Sequence, residues 1–199
     1  MTGGPGRLVS VDPDRLGQWL AGFAERHGGA SLTDEPGPTG VGTVAVGGDG
    51  AVARCRPFEL DPLGIVLLRR GGYAVGLAAA GRLTAHKTGT RYVQSRTAAG
   101  GWSQHRFARR RSNQADALVG VVAGHAARLL VAGRRGIPAG LVVGGDRTLA
   151  ASVLAEPLLR PLSGLPRREL YDLPDPRLAV LREALRRGRS VWVTLTEPG

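Results

Sequence analysis

The run from His86 to Gln114, HKTGTRYVQSRTAAGGWSQHRFARRRSNQ, contains the residue types best suited to chemistry. Gly100 and Gly101 allow backbone conformations that other residues avoid, so the chain can approach a crowded ligand closely there. Gln104 follows with a neutral amide, which can orient a water molecule or donate to a developing oxyanion. Because a neutral amide cannot be a strong base, any chemistry at this loop depends on positioning and electrostatics.

The glycines and the glutamine lie in a strongly basic stretch. Residues 62–115 contain ten basic residues and no acidic one, so these 54 residues carry +10 of the net charge of +11. Such a concentration is typical of a polyanion-binding face, because each arginine that neutralises a phosphate releases counterions. Trp102 and Tyr92 are aromatic residues able to stack on bases. The stretch therefore predicts a nucleic-acid partner.

Each of these features also has a structural interpretation. A charge run is usually a solvated surface, and a glycine pair is usually a turn, here with Trp102 packed into the core. The lack of acidic residues argues against a merely solvated surface, because interspersed charges serve solubility better. The flanking arginines argue against a simple turn.

Other catalytic motifs are incomplete in this sequence. Lys87-Thr88 matches the end of a P-loop, but His86 replaces its second glycine, which excludes a nucleoside triphosphatase of that kind. His105 replaces the last glycine of a nucleophile elbow around Ser103. Catalysis by two metal ions needs clustered carboxylates, which the basic stretch lacks. We therefore expect neither a metal nor a cofactor.

The four histidines share no spacing typical of metal ligands. His125 lies on the apolar side of a predicted helix, which favours a hydrogen-bonded core residue. His105 lies beside the glycines and is either an RNA contact or an ordinary surface residue.

The remaining composition indicates a cytoplasmic protein. A single cysteine, Cys55, excludes a disulfide framework and suits a reducing compartment. The first residues lack the pattern of a signal peptide. The best apolar run, residues 73–80, is far shorter than the roughly 20 residues of a membrane span, so we expect no membrane partner.

Periodicity and turn residues predict alternating strands and helices. Helices are expected at 12–26, from Gln104 or Ser112 to Val131, from Asp146 to Leu154 and from Asp175 to Gly188. Strands are expected at 41–46, 51–56, 64–69, 73–79, 81–87, 141–143 and 191–195. Residues 34–40 and 97–103 are predicted loops, and prolines break residues 157–166 into turns. The predicted fold class is α/β (α+β), a mixed β-sheet with packed helices.

The Gly-Gly…Gln loop in a basic segment resembles the Vms-like release factors, relatives of the class I peptide release factors of eukaryotes and archaea. The resemblance covers roughly residues 61–195, and within the family the sequence is similar to the actinobacterial-type branch. It rests on Lys87-Thr88, Arg91-Tyr92, Arg96, Gly100-Gly101, Ser103-Gln104 and the arginines that follow.

This resemblance implies a domain over residues 61–199 similar to the middle domain of those factors, related to the ribonuclease H-like fold. Residues 1–60, a helix and strands, would be an accessory unit. It also implies that Gln104 is the catalytic glutamine and that Gly100 and Gly101 are its loop glycines. The implied RNA contacts are Lys87, Arg91, Arg96, Trp102, Ser103, His105, Arg106, Arg109, Arg110 and Arg111.

The implied activity is that of a metal-independent peptidyl-tRNA hydrolase, which releases nascent chains on stalled large ribosomal subunits. Its implied partners are the large subunit, peptidyl-tRNA and ribosomal RNA. Trp102 and Ser103 separate the glycines from Gln104, whereas the glutamine follows the glycines directly in class I factors. Two alternatives therefore stay open: cleavage near the tRNA 3′ end by the same loop, and a non-catalytic RNA- or ribosome-binding module.

Overall fold

The computed structural model describes residues 6–90 and 103–198, and for residues 103–113 the description covers the backbone. The chain divides into two compact units. The first contains the residues up to Leu60 together with those from Arg186 onward, and the second is Asp61–Leu185. The first unit is therefore formed by two segments of the chain, and the second unit lies between them in the sequence.

The described residues form ten strands and four α-helices, which are numbered in chain order. The strands are β1 (Arg7–Val11), β2 (Ala30–Gly37), β3 (Gly40–Gly47), β4 (Val52–Arg56), β5 (Leu63–Arg69), β6 (Gly72–Ala79), β7 (Arg82–Thr90), β8 (Gly140–Gly145), β9 (Arg167–Leu170) and β10 (Val191–Thr196). The helices are α1 (Leu16–Arg26), α2 (Ser103–Ala126), α3 (Arg147–Leu154) and α4 (Leu178–Gly188). A π-helical turn, Ala127–Val131, continues α2, and 3-10 helices occupy Pro13–Arg15 and Pro157–Leu162.

The first unit is an antiparallel sheet with strand order β1-β10-β4-β3-β2. Alternate residues of β4, Ala53 and Cys55, point to the side where Phe23 of α1 is fully buried. Burial raises the pKa of the Cys55 thiol to about 11. The thiolate is therefore scarce at neutral pH, and Cys55 is a structural residue rather than a nucleophile.

The second unit is a mixed sheet with strand order β7-β6-β5-β8-β9, in which β8 runs parallel to both β5 and β9. Strands β5 and β6 are buried almost throughout because helices cover both faces. Val75 faces the α2 side, with Leu118 and Val122 in the same core cluster. Gly76 faces the other side, where a Cβ would lie 3.1 Å from Leu181 of α4. The predicted mixed α/β fold class is confirmed.

Several predicted elements need correction. Residues 30–37 form β2, although residues 34–40 were predicted as a loop. The strand pairs with β3 along its whole length, and Pro36 is tolerated because β2 is an edge strand. Strands β1 and β9 were not predicted, and α4 begins at Leu178 rather than at Asp175.

The predicted loop at 97–103 lies outside the described residues except for Ser103, which is the first residue of α2. The structure therefore places the end of that predicted loop within a helix.

Helix α2 contains a more apolar segment than sequence inspection indicated. The stretch Gln114–Val131 has a mean hydropathy of 1.2 and by length and composition alone could cross a membrane, so residues 73–80 are not the best apolar run. One side of this stretch, including Leu118, Val122 and Leu130, is buried in the core of the second unit. Core packing accounts for its apolar character.

A carboxylate–histidine pair holds the turn after β3 against the end of α1. Asp49 accepts a hydrogen bond from the Ala51 backbone N–H at 3.0 Å, and its Oδ2 lies 2.8 Å from His27 Nδ1. These two hydrogen bonds hold the pKa of Asp49 below its ordinary value of 3.8, and the bond from Ala51 has the larger effect.

We predict that Asp49→Asn reduces the acid sensitivity of unfolding. A carboxyl group whose pKa is depressed by folding adds stability above its unfolded-state pKa and loses it as the pH falls through the folded-state pKa. The wild type should be more stable than Asp49→Asn at neutral pH, and the difference should shrink below pH ~4. Denaturant midpoints measured from neutral to acid pH, with Asp34→Asn as a surface control, test this; a pH-independent difference would contradict it.

Candidate nucleic-acid interface

The predicted site residues fall into three groups in the structure. Gly100, Gly101, Trp102, Arg91 and Arg96 lie outside the described residues. The helix backbone of α2 contains Ser103, Gln104, His105, Arg106, Arg109, Arg110 and Arg111. Lys87 has a described side chain and is exposed on β7.

Helix α2 places Gln104 far from the residues that anchor the helix. Leu118 is the first residue of α2 that is buried among those with described side chains. At a rise of 1.5 Å per residue, about 21 Å of helix separate Gln104 from Leu118. Gln104 therefore stands at one end of a helix whose other end is held in the core.

Helical periodicity divides the early positions of α2 into two sides. Positions spaced alternately by four and three residues share one side of a helix. The series that ends in the buried Leu118 and Val122 contains Gln104, Ala108, Arg111, Ala115, Leu118 and Val122. Arg106 and Arg110 are four residues apart and fall on the opposite side. The Gln104 position and these two basic positions are therefore on different sides of α2.

An aromatic stack lies where β7 approaches the later part of α2. Tyr73 on β6 pairs with Gly89 on β7, and a Cβ at Gly89 would lie 2.5 Å from Tyr73 Cε1. The Tyr73 ring therefore lies over Gly89, in space that only glycine leaves open. On α2, the His125 ring stacks on Tyr73 with a centroid distance of 5.4 Å and an interplanar angle of 21°.

Two cations, Arg128 and Lys87, act on the His125 ring. Arg128 Nη2 lies 2.7 Å from His125 Nδ1. Because a guanidinium group can only donate, Nδ1 accepts, and the imidazole is neutral with its proton on Nε2. Burial first, and then repulsion by Arg128 and Lys87, hold the pKa of His125 below its ordinary value of 6.5.

Strand register places Lys87 on the same face of the sheet as Tyr73. Lys87 pairs with Val75, and Tyr73 is two residues from Val75 on β6, so all three project from the same face of the sheet. That face packs against α2. The cluster of Tyr73, Lys87, His125 and Arg128 is called the β7–α2 cluster below.

Sequence reasoning found only part of the β7–α2 cluster. Lys87 was predicted as an RNA contact and His125 as a hydrogen-bonded core residue; His125 is hydrogen-bonded but only half-buried. Tyr73 and Arg128 were missed. The available signal was Gly89, because a glycine inside a strand often marks a place where another group approaches closely.

The structure also shows where the residues of the incomplete P-loop motif and the possible metal ligands lie. Lys87-Thr88 lies within strand β7 rather than between a strand and a helix, so the pair is not part of a P-loop. Among the described residues, no group of three or more histidine, cysteine or carboxylate side chains is arranged to hold a metal ion.

Comparison with known protein families identifies a matching family model. The model of the Actinobacteria/chloroflexi VLRF1 release factor family matches residues 61–194, which include the whole basic stretch, all of the second unit and the start of β10 in the first unit. No curated protein matches the chain.

We predict that Gly89→Ala destabilises the protein, because its new methyl group would collide with the Tyr73 ring. Overpacking of this kind costs about 1–3 kcal/mol of unfolding free energy. Gly120→Ala is the matched control, since a Cβ there meets nothing within 4 Å. In helix α2 this control should add up to about 1 kcal/mol. Urea denaturation of both variants tests the contrast, and equal effects would contradict the described stack.

We also predict that Arg128→Gln raises the pKa of His125. The substitution removes one repulsive cation and the obligate donor that favours the neutral imidazole. The imidazole NMR signals of His125, followed during a pH titration, measure the change, with Arg182→Gln as a charge-matched control on α4. An unchanged or lower pKa in Arg128→Gln would contradict the described contact between Arg128 and the neutral His125 ring.

Proposed function

We propose that the chain, which belongs to the Actinobacteria/chloroflexi VLRF1 release factor family, is a peptidyl-tRNA hydrolase acting on stalled large ribosomal subunits. The observation that carries this proposal is the family match over residues 61–194, because a release factor's task is to free a peptide from tRNA. The sequence Gly100-Gly101-Trp102-Ser103-Gln104 lies inside the matched region.

The proposed reaction is hydrolysis of the ester that joins the peptide to the tRNA ribose. The oxygen of a water molecule attacks the ester carbonyl carbon, and the bond from that carbon to the ribose oxygen breaks. The proton of the water passes to the ribose oxygen, which leaves as a hydroxyl group. No metal or cofactor takes part in these steps.

Gln104 is proposed to position the reacting atoms. Its amide oxygen can accept a hydrogen bond from the attacking water, or its amide N–H can donate to the oxyanion of the tetrahedral intermediate. Gly100 and Gly101 would let the backbone approach the crowded tRNA end. Since a glutamine does not take a proton, the rate depends on geometry and charge stabilisation, and RNA supplies the rest of the site.

The position of Gln104 on α2 supports this role. Gln104 is the second residue of α2, where backbone N–H groups have no acceptor within the helix. The partial positive charge at a helix N-terminus favours a developing negative charge nearby. About 21 Å of helix beyond the buried anchor at Leu118 allows this end to enter a narrow site.

The basic residues are proposed to hold the protein on ribosomal RNA and tRNA. The Arg106 and Arg110 positions lie on the side of α2 opposite to the Gln104 position, so phosphates bound there would leave Gln104 available to the ester. In the sequence Trp102, Ser103 and His105 flank the glutamine, and Lys87, Arg91, Arg96, Arg109 and Arg111 are proposed as further RNA contacts. With these partners the protein acts in the cytoplasm, without a membrane.

A second candidate reaction is cleavage of the tRNA near its 3′ end. The specific observation that favours it is the insertion of Trp102 and Ser103 between the glycines and Gln104, which changes the loop relative to class I factors. A ribose 2′-hydroxyl can serve as the internal nucleophile there, so the absence of carboxylates from residues 62–115 does not exclude it.

We predict that Gln104→Ala lowers peptide release from peptidyl-tRNA-loaded large subunits by about 10²-fold or more, the effect of losing one oxyanion-stabilising donor. Ribosome binding should persist, because the basic residues remain. Gln18→Ala, on the exposed side of α1, is the matched control and should release peptide like the wild type.

The charge-reversed variant Arg109→Glu/Arg110→Glu should lose ribosome binding, whereas Arg177→Glu/Arg182→Glu on the α4 side should keep it. Co-sedimentation with large subunits measures both. If Gln104→Ala and the wild type release peptide at the same rate, the catalytic assignment of Gln104 is lost. If neither releases peptide, the protein is a non-catalytic ribosome-binding module instead.

A further inference from the structure

The β7–α2 cluster has more positive charge than the fold requires. Lys87 and Arg128 are both exposed, and in the described parts of the chain neither pairs with a carboxylate. The partner that the structure gives Arg128 is the neutral ring of His125. Two cations thus act on one imidazole, and the described residues supply no compensating anion.

The geometry points to a binding site for a phosphodiester group of RNA, formed by Lys87 and Arg128, with His125 positioning the arginine. Arg128 and Lys87 supply N–H donors with positive charge, which phosphate oxygens accept strongly. His125 Nδ1 accepts from Arg128, so the imidazole positions the arginine, while its Nε2–H lies at the opposite edge of the ring. His125 and Arg128 are three residues apart on α2 and the π-helical turn that continues it, and Lys87 comes from β7.

The site is held in place by its neighbours. Tyr73 fixes the plane of the His125 ring by stacking, and Gly89 leaves room for Tyr73. The bond from Arg128 to Nδ1 fixes the tautomer that carries the proton on Nε2. An arginine restrained by such a bond loses less side-chain entropy when a ligand binds. These contacts distinguish the cluster from a solvated group of surface charges.

The electrostatics favour an anion at this place. Burial first, and then repulsion by Arg128 and Lys87, lower the pKa of His125, so the cluster resists further positive charge. A phosphate between them would offset that repulsion. The site is separate from the Gln104 loop, because about 32 Å of helix lie between Gln104 and His125.

RNA is the source of phosphate that the chain's charge distribution favours. Lys87 belongs to the acid-free stretch 62–115, in which Arg91 and Arg96 follow it in the sequence. Such a stretch favours a polyanion over a small anion, because each further basic residue can neutralise a further phosphate. The choice of RNA rests on the proposed function, whereas the phosphate site rests on the geometry of the cluster.

The test uses the full chain and deacylated tRNA, which has no ester to hydrolyse. Fluorescence anisotropy compares the wild type with Lys87→Gln/Arg128→Gln. The control is Arg177→Gln/Arg182→Gln, which removes the same charge from exposed residues on the α4 side of the sheet. We expect the cluster variant to bind tRNA about tenfold more weakly and to reduce the slope of log K against log salt by about one to two. The control should match the wild type.

A second readout in the wild-type protein keeps the test informative if the variant folds poorly. Micromolar tRNA should shift the His125 imidazole NMR signals, while millimolar inorganic phosphate should shift them less. If tRNA leaves these signals unchanged, or the two double variants bind tRNA equally, the site is refuted. If inorganic phosphate shifts the signals as strongly as tRNA at these concentrations, the RNA assignment is overturned.

These outcomes are separable from those of the proposed reaction. Intact Gln104-dependent peptide release with no role for the cluster would refute only the phosphate site. Cluster-dependent tRNA binding without peptide release would refute only the hydrolase proposal.

Discussion

The burial of one side of α2 is the interaction on which the rest of the second unit depends. Leu118, Val122 and Leu130 pack into the core with the apolar face of β5 and β6. Each fully buried leucine or valine contributes about 1.5–3 kcal/mol relative to exposure. This packing fixes the axis of the helix, and the axis in turn sets the position of everything at its N-terminal end.

A small tilt of a long helix displaces its far end. A tilt of about 5° at Leu118 would move the Gln104 position by about 2 Å, given the rise of α2. Catalysis that works by positioning is sensitive to displacements of about 1 Å. The apolar character of Gln114–Val131 therefore has a functional consequence: a tightly packed helix holds a distant amide in place.

Charge distribution is the second constraint. A stretch of ten cations without an acid costs folding energy through self-repulsion and attracts polyanions strongly. The remaining 145 residues carry a net charge of only +1, the difference between +11 and +10. The protein thus keeps its positive potential on the unit that contains α2. The β7–α2 cluster is a local case, in which a neutral imidazole serves as the acceptor for an arginine.

Sequence reasoning was most successful where local rules decide the structure. Asp146 was predicted to start a helix and does so by accepting from the Leu149 backbone N–H at 3.1 Å. It was least successful where distant segments meet. Strand β1 exists because it pairs with β10 from the other end of the chain, and no local pattern reveals that partner. The stack of Tyr73 on His125 likewise depends on sheet packing, whereas the Gly-Gly…Gln motif is contiguous and readable.

The products formed in ¹⁸O-labelled water test the central claim most directly. Peptidyl-tRNA-loaded large subunits would be incubated with the protein, and both peptide and tRNA analysed by mass spectrometry. Ester hydrolysis predicts a peptide with one ¹⁸O in its terminal carboxylate and a full-length tRNA with an intact 3′ end. A peptide that still carries tRNA nucleotides, together with a shortened tRNA, would contradict peptidyl-tRNA hydrolysis.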